Sequence, residues 1–197
     1  MNFYSVAPFI QQYYPQYYSI ETYPAEQCVC IRKVADEWGI LGNFAHARMI
    51  INKVVFKNSE QLFQLMKFTD EEPVKAVYHA ANPKYTAKHW EKTHRRSDWG
   101  NIIVDAMKFC LSKKYEQSEE FRSSLSQTKG LFIVEDQTSF PKKTADTWGV
   151  KRIDDNYVGP NLLGRLLMEP RDGHLTYSLP DNALRFTEYL NPAEWST

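Results

Sequence analysis

Apolar and polar positions alternate along CVCIRKV (28–34), the period-two pattern of a strand, which sets Cys28 and Cys30 on one face. EWGILGNF, with Gly39 and Gly42, reads as a loop. RMIINKVVF (48–56) has the form of a hairpin turning near Asn52–Lys53. The period then becomes helical in KNSEQLFQLMKF (57–68), where Asn58 is placed to cap and Gln61 stands at N3, the reciprocal capping pattern. EPVKAVYHAA predicts a helix running up to Asn82–Pro83, and AKHWEKT a short one. SDWGNIIVDAMKFCLSKKYEQ predicts the longest, with Ile102, Ile103, Ala106, Phe109 and Cys110 as its apolar stripe. SEEFRSSLSQ adds a short amphipathic helix and LFIVED (131–136) a strand. SFPKKTADTWGVKRIDDNYVG reads as a long polar loop with a functional role. PNLLGRLLME (160–169) predicts a helix with Pro160 at N1.

The order of elements implies an α+β fold, several helices around a small β-sheet. It divides into an aromatic N-terminal extension (1–27), a domain (28–171) and an irregular C-terminal extension (172–197). The first extension carries Phe9, Tyr13, Tyr14, Tyr17, Tyr18 and Tyr23, broken by Pro8, Pro15 and Pro24. Its rings either pack onto the domain or form a rim of a substrate site or an oligomer contact.

Composition narrows the function. With 24 basic and 24 acidic residues the net charge is zero, so a global positive field for nucleic acid is not supported. A local one remains: Lys84, Lys88, Lys92, Arg95 and Arg96 stand against one acid, Glu91, and form either a solvated helix face or a nucleic-acid edge. Three cysteines are too few and irregular for a disulfide framework or a four-ligand zinc site, and no histidine has metal-site spacing with carboxylates, so no metal or cofactor is expected. No apolar run approaches the ~20 residues of a membrane span, and the N-terminus lacks signal-peptide character. A cytoplasmic protein with reduced thiols is the expectation.

The 57–68 segment raises the chemical question. Glu60, Gln64 and Lys67 fall at i, i+4 and i+7, sharing a stripe with Phe63. Such a stripe is either a solvated surface or the lining of a cleft. In a cleft, a desolvated lysine becomes a nucleophile for a carbonyl or anomeric carbon, and the glutamate carries protons. Arg96, Asp98 and Trp99 in RRSDWG are cap and core, or a phosphate ligand and a flat wall for a base. Trp148, in a loop, suits a lid or stacking platform, and GPNLLG sets a helix N-terminus that attracts anions or merely starts a helix.

In order, GNF (42–44), SEQLFQLMKF (59–68), RSDW (96–99), LFIVED, TWG (147–149) and GPNLLGRLLMEPR (159–171) resemble the motifs of the NADAR family of YbiA-like proteins, over roughly residues 28–171. The resemblance implies a compact α+β domain and an N-glycosidase that cleaves a ribose–base bond. Substrates in that family are ADP-ribosylated bases, including those in nucleic acid, or phosphoribosylated intermediates of riboflavin synthesis. It further implies that Lys67 attacks the anomeric carbon to form a Schiff base while Glu60 handles protons. Phe44, Trp99 and Trp148 would shape the pocket, and Asn43, Arg96, Asn161 and Gly164 would hold sugar and phosphate. Glu135, Asp146 and Gly149 belong to the same motifs as substrate-binding positions. The sequence departs from the pattern at Gly42, where the family has serine, and at Ala145, where it has aspartate. VKRIDDNYVG replaces its glycine-rich run. This loop should border the leaving group.

Overall fold

Helix α5 (Trp99–Gln117) is the axis of the molecule. In the computed structural model, which describes residues 6–190, it is packed by α1 (Ala7–Tyr13), α2 (Ser59–Leu65), α6 (Glu119–Gln127) and α7 (Leu162–Arg171). Residues 1–5 and 191–197, at the ends of the two predicted extensions, lie outside the described residues. The expected stripe of Ile102, Ile103, Ala106, Phe109 and Cys110 is buried, and so are Val104, Met107 and Leu111. A helix covered on several sides must be apolar on several sides.

Two short strands lie at the other side of the fold. β2 (Cys28–Ile31) pairs in parallel with β5 (Phe132–Glu135), from Cys28 opposite Phe132 to Ile31 opposite Glu135. The parallel crossover between them contains helices α2, α3 (Glu71–His79), α4 (Pro83–His94), α5 and α6, together with the hairpin β3 (Met49–Ile51)–β4 (Val54–Phe56). That hairpin turns at Asn52 and Lys53, both at positive φ (49° and 67°), the geometry of a two-residue primed turn.

The stretch 139–159, read as a loop, contains a hairpin instead: β6 (Lys151–Ile153) and β7 (Asn156–Gly159), turning through Asp154 at φ 50°. β6 shows no alternation, since Arg152 and Ile153 both face solvent, and β7, which does alternate in burial, is only four residues long. β1 (Glu21–Pro24), from the aromatic N-terminal segment, completes this sheet by pairing antiparallel with β7. Backbone bonds from Val150 N to Glu135 O (2.8 Å) and from Gln137 N to Val150 O (2.9 Å) join it to β5. The α+β architecture is as expected, with three small sheets among the described residues in place of one.

Helix boundaries differ from the sequence reading at proline and asparagine. Pro83 opens α4, with Asn82 Oδ1 accepting from Tyr85 N, so the helix is twelve residues long and begins before Ala87. α7 begins at Leu162, after Asn161 in the left-handed region (φ 51°), and Pro160 lies outside it. Asn58 does cap α2, accepting from Gln61 N at 2.9 Å, but Gln61 Oε1 accepts from Lys57 N (2.8 Å), one residue beyond the Asn58 amide of the expected reciprocal bond.

Candidate active site

A cavity of about 380 Å³ opens between α2, α4 and the first turn of α5 on one hand and the segments following β2 and β5 on the other. The α2 stripe lines it. Glu60 is buried, and its Oε1 accepts from Gln64 Nε2 at 2.8 Å. Glu60 N donates to Asn43 O (3.0 Å), fastening the loop that carries Asn43 and Phe44 to the start of the helix. The same loop is tethered from beneath by Lys114, fully buried on α5, whose Nζ donates to Ile40 O (2.7 Å) and Gly42 O (2.9 Å). α2 ends at Leu65, and Lys67 follows in the turn behind it.

Lys67 is buried beside two rings, its Nζ 5.8 Å from the centroids of Phe63 and Trp99. Trp148 meets Phe63 edge-on at 5.7 Å, closing an aromatic box. The amine donates to Glu91 Oε1 on α4, and each side chain is 11% exposed. Burial holds the Lys67 amine below the ordinary lysine range, against the upward pull of Glu91 and then of Glu60. Glu91 is the missed residue. Its signal was present: Lys84, Lys88, Glu91 and Arg95 fall at i, i+4, i+7 and i+11, and all four line the cavity. The basic segment is thus a cavity wall with one acid turned onto the amine. Lys84 Nζ stands 4.0 Å from Glu60 Oε1 and 5.3 Å over the Phe44 ring.

A second carboxyl group lies at the end of β5. Glu135 is pushed up to about 7, first by burial and then by neighbouring Asp146. Gln137 connects them, donating from Nε2 to Asp146 Oδ1 (2.6 Å) and more distantly to Glu135 Oε2 (3.4 Å). Asp146 Oδ1 also accepts from Trp148 N at 2.9 Å, which fixes the tryptophan loop. Two buried amide oxygens on the cavity wall, Asn43 Oδ1 and Gln64 Oε1, have no hydrogen-bond partner among the described residues. Each is a buried acceptor that no described donor meets.

Eight of the twelve candidate residues therefore line one cavity: Asn43, Phe44, Glu60, Lys67, Trp99, Glu135, Asp146 and Trp148. Arg96, Gly149, Asn161 and Gly164 do not line it. Arg96 is buried and held by Asp98 (2.6 Å) and Asn182 (2.7 Å). Asn161 donates to Ile133 O (2.8 Å) and accepts from Glu135 N (3.2 Å), clamping β5. A Cβ at Gly164 would lie 2.0 Å from Ile133 O, and one at Gly149 would lie 2.4 Å from Glu135 O, so both glycines permit close backbone approach. The start of α7 is not open to an anion, because Leu162 N and Leu163 N donate to Thr147 O and Trp148 O.

The sequence model of the NADAR domain matches residues 10–173. The chain belongs to the NADAR domain family. The resemblance read from its motifs is borne out, and the match begins within the aromatic N-terminal segment. This NADAR chain is 29% identical over 140 residues to N-glycosidase YbiA of Shigella boydii serotype 4 (strain Sb227), covering 70% of this chain and 82% of that one. It is 27% identical over 184 residues to a riboflavin biosynthesis protein of Vibrio vulnificus (strain YJ016), covering 91% of this chain and 47% of that one. The solved NMR structure of Escherichia coli YbiA superposes with a TM-score of 0.60 at 26% identity, covering 75% of this chain and 84% of that chain. The expected enzyme class, a hydrolase of N-glycosyl bonds, is the class that the YbiA relatives carry in their name. Among the described residues no helix is long and apolar enough to cross a membrane.

Proposed function

We propose that this NADAR domain is an N-glycosidase that removes ADP-ribose from a modified base, with Lys67 as nucleophile. The observation that carries this reading is the buried Lys67 amine in the cavity, boxed by Phe63 and Trp99 and hydrogen-bonded to Glu91. A lysine held below its ordinary range presents a larger fraction of neutral amine at neutral pH. Glu91 takes the proton that the amine must shed.

The neutral amine attacks C1′ of the ribose, forming the C–N bond to Lys67 as the bond to the base breaks. The departing nitrogen takes a proton from a carboxyl group, for which Glu135, near 7, is suited and Glu60 is the second candidate. Opening of the sugar ring, with its oxygen protonated, leaves the Lys67 imine. Water then hydrolyses the imine and returns the free amine. The balance is one N-glycoside and one water giving free sugar and free base. Asn43 Oδ1 and Gln64 Oε1 are acceptors suited to ribose hydroxyls.

The mouth supports the ADP-ribosyl substrate over a smaller one. Phe44 and Phe140 are half exposed there (50% and 55%), beside the cations Arg32, Lys33, Lys84 and Lys88. Rings interleaved with cations suit a pyrophosphate and the bases of an ADP-ribosylated nucleic-acid strand. The second reading, a phosphoribosylated riboflavin-pathway intermediate, is favoured by the name of the Vibrio relative. A third, a binding module that holds ADP-ribose without cleaving it, makes no use of a reactive amine.

Incubation with ADP-ribose and cyanoborohydride, followed by peptide mass spectrometry, tests the first reading. The expected result is an adduct on Lys67, with base release from an ADP-ribosylated oligonucleotide that Lys67→Ala abolishes. Turnover surviving in a folded Lys67→Ala protein would sink it. Binding without adduct or release points to the binding module, and release only from the phosphoribosyl compound to the second reading.

A further inference from the structure

The α1 helix contributes to the cavity. Val6 and Phe9 line it, and Phe9 stands immediately before the family-matched segment. Phe9 packs closely against the start of α5, an approach that Gly100 permits: a Cβ there would come within 2.4 Å of the ring. The Arg95 guanidinium stands over the same ring, its central carbon 5.2 Å from the centroid. Arg95 Nη1 in turn lies 3.8 Å from Glu91 Oε2, while Glu91 Oε1 accepts from Lys67. The backbones are joined at the same place, since Arg96 N donates to Lys67 O (2.9 Å) and Phe68 forms an isolated bridge with Arg95.

We propose that Phe9 is a positioning residue for the Lys67 amine: its ring holds Arg95 against the far oxygen of Glu91, so that this carboxylate is shared between two cations. The inference rests on the reading of Lys67 as the reactive amine. Charged groups face Lys67 from several elements. α2 supplies Glu60, and α4 supplies Lys84, Lys88, Glu91 and Arg95. Arg32 and Lys33 after β2, Glu135, Asp136 and Asp146 line the same cavity. α1 acts on this set through Arg95. When Arg95 loses its seat, its side chain turns to solvent. Lys67 then meets an undivided Glu91 carboxylate and loses a nearby positive charge, and both changes favour its protonated form.

The test uses the full chain and needs no substrate. The pH dependence of Lys67 acetylation by acetic anhydride, read by peptide mass spectrometry, gives the midpoint at which the amine becomes reactive. Phe9→Leu fills the seat without a π face. Gly100→Ala pushes the ring aside while placing a better helix former in α5. Both are expected to raise the Lys67 midpoint by about half a pH unit or more, and Phe9→Tyr to keep the parent's value. An unchanged midpoint in Phe9→Leu and Gly100→Ala, each checked for a cooperative melt, overturns the proposal, as does an equal rise in Phe9→Tyr. Should Phe9→Leu not fold, Gly100→Ala alone decides. A shifted midpoint in a protein that traps no sugar would leave this inference standing and remove the glycosidase reading.

Discussion

Lys67 and Glu91 stand 24 residues apart in the chain, yet the amine behind α2 donates to the carboxylate on α4 inside one cavity. The glutamate on the helix just before the lysine, Glu60, is turned to Gln64. Glu91 therefore sets the proton affinity of the amine more strongly than Glu60 does.

Glu91→Gln removes the group that most raises the Lys67 amine against burial. The rising limb of kcat/KM with pH, which reports loss of the lysine proton, is expected to move to lower pH. The maximal rate should fall, because the proton acceptor is gone, by on the order of 100-fold. A pH–rate profile of the variant checks both effects. A limb displaced to higher pH would contradict the assignment.

Glu135 is raised from the ordinary carboxyl range to about 7, so its ionisation opposes folding. The unfolded group ionises near 4.5 and the folded one near 7. Stability is therefore full below pH 4.5, declines as pH rises between these values, and stays reduced above 7. Glu135→Gln should be more stable than the parent at pH 8, by on the order of 3 kcal/mol, with the difference vanishing near pH 4. Urea denaturation at the two pH values measures it. The variant should also lose the fall in activity above about pH 7 if Glu135 is the acid.

Asn161 holds two backbone groups of β5, and its loss leaves Ile133 O and Glu135 N without their partner. Asn161→Ala is expected to cost about 2 kcal/mol in denaturant melts, by leaving buried polar groups unpaired. A residue that bound phosphate directly would instead raise KM with little change in stability.

Phe44 is half exposed and contributes little to the core. Phe44→Ala should change stability by under about 0.5 kcal/mol. It should raise KM for an ADP-ribosylated oligonucleotide about tenfold, the loss of one stacked base. Equal KM values for variant and parent would remove Phe44 from the strand-binding rim.

The local signals in the sequence were sound where one residue decides the geometry. Asn52 and Lys53 turn a hairpin, Asn58 caps α2, and the α5 stripe is buried as its spacing requires. What could not be read is what another segment supplies. Glu91 looked like the exception in a basic helix until α4 docked on α2. Asn161 and Gly164, sharing motifs with pocket residues, turned out to support β5 from behind. Asn161 takes the left-handed conformation and turns its amide into the strand, a choice fixed by Ile133 and Glu135 across the fold. The β6–β7 hairpin is not legible because three- and four-residue strands are too short to show a period, and the third strand of their sheet, β1, comes from a distant segment.

The junction where Arg96 N meets Lys67 O has a consequence for when the amine is chemically awake. Without α4 docked on α2, Lys67 would have neither its burial nor Glu91 and would be an ordinary, protonated lysine at neutral pH. Only the assembled junction strips its water and supplies Glu91. If Lys67 is the nucleophile proposed above, its reactivity is acquired late, with tertiary structure, and an unfinished molecule lacks it.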